Sequence, residues 1–168
     1  MGSEEIVLSE ELLFDFSYSF LKWKKAIVFD KRSIRENDYP RSGDINMAKI
    51  LVIDDSLTER EYLKKILEST GLQVLIATDG VEALEKLKTV QPDMIFLDIV
   101  MPRMNGYEVC RKIKSDPKTT SVPVIICSAK SEEFDRYWGM KQGADAYITK
   151  PFRPKELLQT MKTLLKQD

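Results

Sequence analysis

Five residues of this chain have the chemistry of a phosphate site, and they close four short apolar runs. Ile50-Leu51-Val52-Ile53 ends on Asp54-Asp55, Met94-Ile95-Phe96-Leu97 on Asp98, Val124-Ile125-Ile126-Cys127 on Ser128, and Ala146-Tyr147-Ile148-Thr149 on Lys150. If the runs are neighbouring parallel strands, three carboxylates, a hydroxyl and an ammonium meet at the sheet edge where open α/β sheets bind ligands. Converging carboxylates repel, and at least one would have a raised pKa. A divalent cation resolves the conflict, and Mg²⁺, which takes one or two carboxylates with waters and phosphate oxygens, suits Asp54, Asp55 and Asp98. An aspartate can attack phosphorus to give an acyl phosphate, a transfer that asks the protein for little beyond positioning and charge neutralisation. Mg²⁺ can cover two phosphoryl oxygens, Lys150 can pair with the third as a mobile point charge, and Ser128 can donate a hydrogen bond. Each residue alone has a plainer explanation. Asp54-Asp55 can be a helix-entry turn beside a Ser56 cap, and a serine or lysine after a strand is usually surface. Their joint appearance at successive strand ends carries the inference.

The elements that must position these groups alternate from residue 48 onward. Strands are expected over 49–53, 73–77, 93–97, 122–127 and 146–149. Helices are expected over 56–69, 80–89, 106–115, 131–142 and 154–166. Ser56-Leu57-Thr58-Glu59 has capping-box spacing, Asp79 suits a cap, Gly71 and Gly143 suit helix stops, and Pro154 suits a first turn. Pro123 argues for an edge or first-residue position in its strand. Strands apolar throughout, separated by helices, indicate a parallel sheet covered on both faces. Right-handed crossovers leave few topologies. We expect an α/β, flavodoxin-like doubly wound sheet of order 2-1-3-4-5, chosen partly because it sets strands 1, 3, 4 and 5 side by side.

The bulk numbers exclude several classes. The chain has 168 residues, 43% of them hydrophobic, and a formal net charge of −1, so it has no bulk pull toward nucleic acid or anionic lipid. With no histidine, a Ser-His-Asp triad and a phosphohistidine on the chain itself are both ruled out. Cys110 and Cys127 lack CxxC spacing and read as buried free thiols in a reducing compartment, hence a cytoplasmic protein. The acidic start does not resemble a signal peptide, and no apolar run reaches the roughly 18 residues of a membrane span. Residues 1–46 break the alternation and read as an N-terminal extension, native or appended, before a domain over 47–168. Within it, 12–29 is aromatic, fits a strand and a helix face almost equally, and precedes a polar, linker-like stretch over 31–46.

At this point the chain resembles a known family. Residues 48–168 are similar to receiver domains of two-component response regulators of the chemotaxis type. The resemblance rests on Ile-Leu-Val-Ile-Asp54-Asp55-Ser, Leu-Asp98-Ile-Val-Met-Pro102-Arg-Met-Asn-Gly106, Cys-Ser128-Ala129-Lys and Gly143-Ala-Asp-Ala-Tyr147-Ile-Thr-Lys150-Pro151-Phe. More narrowly, Asp-Asp-Ser-Leu-Thr-Glu, Asp-Ile-Val-Met-Pro and Trp138-Gly-Met-Lys-Gln-Gly-Ala resemble stand-alone regulators of type IV pilus twitching motility. The resemblance implies that Asp98 accepts a phosphoryl group from a phosphohistidine on a partner kinase or phosphotransfer protein. It implies Asp55 as a direct Mg²⁺ ligand, Asp54 as a direct or water-mediated one, and the Val100 carbonyl as another. Ser128 would swing toward the phosphoryl group, Lys150 would pair with it, and Tyr147 would be the rotameric switch coupled to Ser128. The Lys150-Pro151 bond would be cis. Val100 and Lys130 occupy the positions that tune acyl-phosphate lifetime, and a valine that gives water no help implies slow decay.

Three rivals are weaker. A phosphatase of the haloacid-dehalogenase type needs an acid two residues after its nucleophile, where this chain has Val100. A flavodoxin-like cofactor binder is opposed by the Asp-Asp-Ser turn, which repels phosphate without metal, and by the lack of GxGxxG. A degenerate receiver, working as a constitutive binding module, is opposed by the complete residue set. With no DNA-binding pattern visible, the expected output is protein–protein binding rather than enzymatic turnover. The expected contacts are the face built over 131–166 and the aromatic segment 12–29, and either could also form a homodimer. Phe134, Tyr137 and Trp138 make one helical stripe, a pattern more often core than interface.

Overall fold

The computed structural model describes residues 48–164. The boundary expected at residue 46, the aromatic segment 12–29 and the end of the last helix at residue 166 lie outside the described residues. Five strands are present: β1 (Lys49–Ile53), β2 (Gln73–Ala77), β3 (Met94–Leu97), β4 (Val124–Ser128) and β5 (Ala146–Thr149). Five helices alternate with them: α1 (Leu57–Glu68), α2 (Gly80–Leu87), α3 (Gly106–Ser115), α4 (Glu133–Lys141) and α5 (Pro154–Leu164). All pairings are parallel and the order is β2-β1-β3-β4-β5, as expected from the apolar strands.

Alternation along each strand divides the core into two layers. Ile50, Val52, Met94, Phe96, Ile125, Cys127 and Ile148 face α1 and α5, where Leu63, Ile66, Leu67, Leu157, Leu158 and Met161 close over them. Leu51, Ile53, Ile95, Leu97, Val124, Ile126 and Tyr147 face the other way, onto Ala83 and Leu87 of α2 and Val109, Cys110 and Ile113 of α3. The two cysteines therefore sit in separate layers, both free. Burial pushes the Cys110 thiol up to about 11 and raises the Cys127 thiol as well. Both remain protonated at neutral pH.

Helix starts follow the sequence cues with two departures. Asp79 caps α2 through the Val81 and Glu82 N–H groups at 2.8 and 3.0 Å, and Asn105 caps α3 through Glu108 N–H at 3.0 Å. At α1 the Ser56 hydroxyl accepts from Glu59 N–H at 3.4 Å, but the Ser56 N–H donates to Asp54 Oδ1 at 2.8 Å rather than to Glu59. Half of the expected capping box is thus taken over by the aspartate of the preceding turn. At α4, Glu132 occupies the cap position without a side-chain hydrogen bond, and the helix is shorter at both ends than the expected 131–142.

The fourth strand starts later than expected. Val122 N–H closes a turn onto Thr119 at 3.0 Å. Pro123 has no N–H to give and supplies only its carbonyl, which accepts from Ile95 at 2.9 Å. That placement lets a proline precede a strand that is interior rather than at an edge.

The expectation for the aromatic stripe of α4 is overturned. Phe134, Tyr137 and Trp138 are 70, 55 and 44% exposed. Gly139 is the only buried residue of α4. A Cβ there would lie 2.9 Å from Ile126 Cδ1 and 3.1 Å from the Tyr147 ring, so the helix meets the sheet across its glycine. With half-buried Asp135 and Gln142 at i−4 and i+3, that inward face leaves the aromatic stripe on the opposite side.

Gly106 makes the other close approach. A Cβ at this first residue of α3 would overlap the Asp98 carbonyl oxygen and lie 2.8 Å from Ile99 Cα. Both neighbours are backbone and cannot rotate away. Gly106→Ala is expected to lower the urea unfolding free energy by about 1–3 kcal/mol, the usual cost of overpacking.

Candidate functional site

Backbone hydrogen bonds fix the site residues before any side-chain contact does. Ile53 lies opposite Leu97, and the ladder continues past both: Asp54 N–H donates to Ala77 at 3.2 Å and Asp98 N–H donates to Ile53 at 2.8 Å. Across β4 and β5, Ser128 lies opposite Thr149, and Lys150 N–H donates to the Ser128 carbonyl at 2.8 Å. The sequence-predicted residues therefore share one edge. Carboxylate oxygens of Asp54, Asp55 and Asp98 all lie within 4.8 Å of one another, close enough for a single metal ion. Asp54 and Asp98 are buried, while Asp55 is exposed.

Lys150 holds this cluster together. Its Nζ donates to Asp54 Oδ2 at 2.6 Å and to Asp98 Oδ1 at 3.3 Å, with Glu59 Oε2 at 3.9 Å. The Lys150-Pro151 peptide is cis. Burial pushes the Asp98 carboxyl above the ordinary carboxylate range, Lys150 opposes that shift, and Asp54 adds to it. Burial works to lower the Lys150 pKa, but the Asp54 hydrogen bond and the charges of Asp98, Asp54 and Glu59 outweigh it, and the net direction is upward. The ammonium thus stays charged beside the carboxylates of Asp54 and Asp98.

Ser128 is fully buried, and its hydroxyl accepts from Lys130 N–H at 3.3 Å. Tyr147 is turned inward, 6% exposed, with its hydroxyl donating to the Lys130 carbonyl at 2.8 Å. Val100 is exposed on the loop after β3. The Lys130 side chain points to Asp135, Nζ to Oδ1 at 3.5 Å.

Several site neighbours escaped the sequence reading. The Glu59 carboxylate beside Lys150 reads in the sequence only as a capping partner. Arg60 donates to the Asp54 carbonyl at 2.8 Å. Arg103 has a positive φ of 66° and pairs with Asp79, tying the loop after β3 to the cap of α2. Tyr107 donates to the carbonyl and carboxylate of Asp135, both at 3.3 Å. Glu59 and Arg60 could have been found from their place one helical turn after the acidic pair. Arg103 and Tyr107 offered no sequence signal, because their partners come from other elements.

Comparison with known proteins places this geometry. The family model described as "Response regulator receiver domain" matches residues 50–162. Protein PilH of Pseudomonas aeruginosa is 42% identical over 119 residues, covering 71% of this chain and 98% of PilH. Protein PilG of the same organism is 44% identical over 114 residues, covering 68% and 84%. Among solved structures, the chemotaxis protein CheY4 of Vibrio cholerae superposes with a TM-score of 0.66 at 32% identity, covering 70% of this chain and 98% of that one. The receiver domain of the sensor histidine kinase PA1611 of P. aeruginosa, solved with a magnesium ion coordinated in its active-site cleft, gives 0.66 at 26% identity, covering 71% and 98%.

Removing the ammonium should expose the repulsion it offsets. Lys150→Met is expected to cost about 3 kcal/mol in chelator at neutral pH, since it leaves buried carboxylates without their partner. Added Mg²⁺ should restore more of the lost stability to the variant than it adds to the parent protein, read by thermal unfolding.

Proposed function

The chain belongs to the response regulator receiver domain family, and on that premise we propose that it is a phosphorylation-activated switch in a two-component phosphorelay. The observation that carries this reading is the convergence of Asp54, Asp55 and Asp98 around Lys150 at one sheet edge. Asp98 is the acceptor. Its carboxylate oxygen attacks the phosphorus of a phosphohistidine on a partner histidine kinase or phosphotransfer protein. The N–P bond breaks, the imidazole leaves with the electron pair, and an acyl phosphate forms. No histidine in these 168 residues could serve as that donor.

Mg²⁺, held by Asp54, Asp55, Asp98 and the Val100 carbonyl, would neutralise two phosphoryl oxygens. The donor set suits it: oxygen ligands only, two of them buried carboxylates. Lys150, already 3.3 Å from Asp98, turns from the carboxylate to the third phosphoryl oxygen. Ser128 donates its hydroxyl to the same group and gives up its bond from Lys130. Tyr147, whose hydroxyl rests on the Lys130 carbonyl of that same loop, changes rotamer with it. The chain is thus a signalling switch whose own chemistry is limited to phosphotransfer and slow self-dephosphorylation.

Residues 47–168 form the receiver and 1–46 an extension in this reading. The output is protein–protein binding to a downstream target, with neither nucleic acid nor membrane insertion involved. The segment 12–29 and the 131–166 face are the surfaces available for such contacts, with a target or with a second copy. Among the described residues no helix is long and apolar enough to cross a membrane. The two free buried thiols support a cytoplasmic location. Likeness to PilH and PilG, with the motifs around Asp98 and Trp138, supports a role in pilus-based motility.

Incubation with acetyl phosphate and Mg²⁺ should add one phosphoryl mass to the intact protein, and Asp98→Asn should abolish the gain. A protein that gains nothing, with a target bound equally before and after, would instead be a constitutive binding module. Decay of the adduct should be slow, and Val100→Asn should hasten it, because the amide can orient an attacking water. An unchanged decay rate, read by the same mass measurement over time, would remove Val100 from that role.

A further inference from the structure

Among the described residues, four of the seven exposed large hydrophobic side chains lie on the outward face of α4. Phe134 and Trp138 are stacked on it, ring centroids 6.2 Å apart at 9°, and Lys141 lies over the Tyr137 ring at 5.4 Å. Met140, 44% exposed, extends the patch. Contiguous exposed aromatic surface of this kind marks an interaction site. Beside it stand Glu132 and Glu133, exposed and without an ion pair among the described residues, whereas the neighbouring Asp135 is engaged by Lys130 and Tyr107. The N-terminal end of the patch therefore carries two carboxylates unpaired among the described residues, while Lys141 lies over its Tyr137 ring and Arg136 stands exposed on the same helix.

The same chain carries a segment of complementary character. Residues 12–29 hold Phe14, Phe16, Tyr18, Phe20, Trp23 and Phe29, and their charges are Asp15 against Lys22, Lys24 and Lys25. The three lysines flank Trp23, the pattern that an aromatic patch ending on Glu132 and Glu133 would receive. Residues 30–47 separate the segment from Ala48. Those 18 residues can span up to about 60 Å, several times the ~13 Å radius of gyration of a domain this size. Reach is no obstacle, and a tether of this length gives the segment a high effective concentration at its own receiver compared with another copy's.

We propose that residues 12–29 dock on the outward face of α4 of the same chain. Their aromatic side chains cover Phe134, Tyr137 and Trp138, and Lys22, Lys24 and Lys25 stand opposite Glu132 and Glu133. The docked segment would lie on a helix whose first turn is fastened through Asp135 to Tyr107 and Lys130, and through Lys130 to Ser128 and Tyr147. A target that needs the α4 face would then have to displace it.

The chain's two tryptophans are Trp23 and Trp138, which makes the test direct. In full-length Trp23→Phe protein, Trp138 is the sole indole. Its emission should be blue-shifted and its acrylamide quenching severalfold weaker than in the same chain carrying Lys22→Glu, Lys24→Glu and Lys25→Glu. Adding Glu132→Lys and Glu133→Lys to that charge-reversed chain should restore the protection. The protection should not depend on protein concentration, and the protein should sediment as a monomer. Circular dichroism checks that every variant stays folded. Freely quenched Trp138 in the Trp23→Phe chain would overturn the proposal. So would protection that rises with concentration alongside a dimer, which would assign the covering to a second copy. Protection indifferent to both charge reversals would overturn the assigned contact.

Discussion

The site depends on a parallel ladder that runs one residue beyond the strands. Because Asp98 N–H is bonded to Ile53 and Asp54 N–H to Ala77, neither aspartate can move away from the other without breaking backbone pairing. The sheet thereby forces two buried carboxylates, and an exposed third, into a space where their charges oppose one another. The conflict is held by Lys150, which the same ladder delivers from β5 through its bond to Ser128. Everything chemical about the pocket follows from this arrangement. The Asp98 carboxyl is raised by burial, the ammonium is kept charged, and the edge offers negative charge to a cation and positive charge to an anion.

A second chain of contacts leads away from that edge. Ser128 accepts from the Lys130 amide, Tyr147 rests on the Lys130 carbonyl, and the Lys130 ammonium reaches Asp135, which Tyr107 also holds. Arg136 lies over the Tyr147 ring at 5.3 Å and donates to the Tyr147 carbonyl at 3.0 Å. The loop between β4 and α4 thus joins the pocket to the first turn of α4 through both main chain and side chains. A change of partner at Ser128 has a contiguous route of hydrogen bonds and ion pairs to the outer surface.

Much of this was legible in the sequence for particular reasons. Strands buried on both faces read as continuous apolar runs, so β1, β3, β4 and β5 announced themselves, and their final residues announced the pocket. What escaped was set by packing between elements. Nothing in the sequence separates buried Asp54 from exposed Asp55, because the difference arises only when Asp54 turns in to the Ser56 amide and Lys150. Glu59 reads as a cap and ends beside the ammonium, since Asp54 has already taken the amide it would have bonded. The α4 stripe reads as core because its spacing is right for core. The structure seats the helix on Gly139 instead, and a glycine contributes nothing to an apolar pattern.

That seat has an evolutionary consequence. A helix whose one buried residue is a glycine contributes little side-chain mass to the core, so substitutions at its outward positions Phe134, Tyr137 and Trp138 cost the fold little. The surface chemistry of this face can therefore drift almost independently of folding and of the carboxylate–lysine edge. A lineage could retarget such a protein by rewriting a few exposed residues of α4 while the acidic edge and its lysine stay as they are.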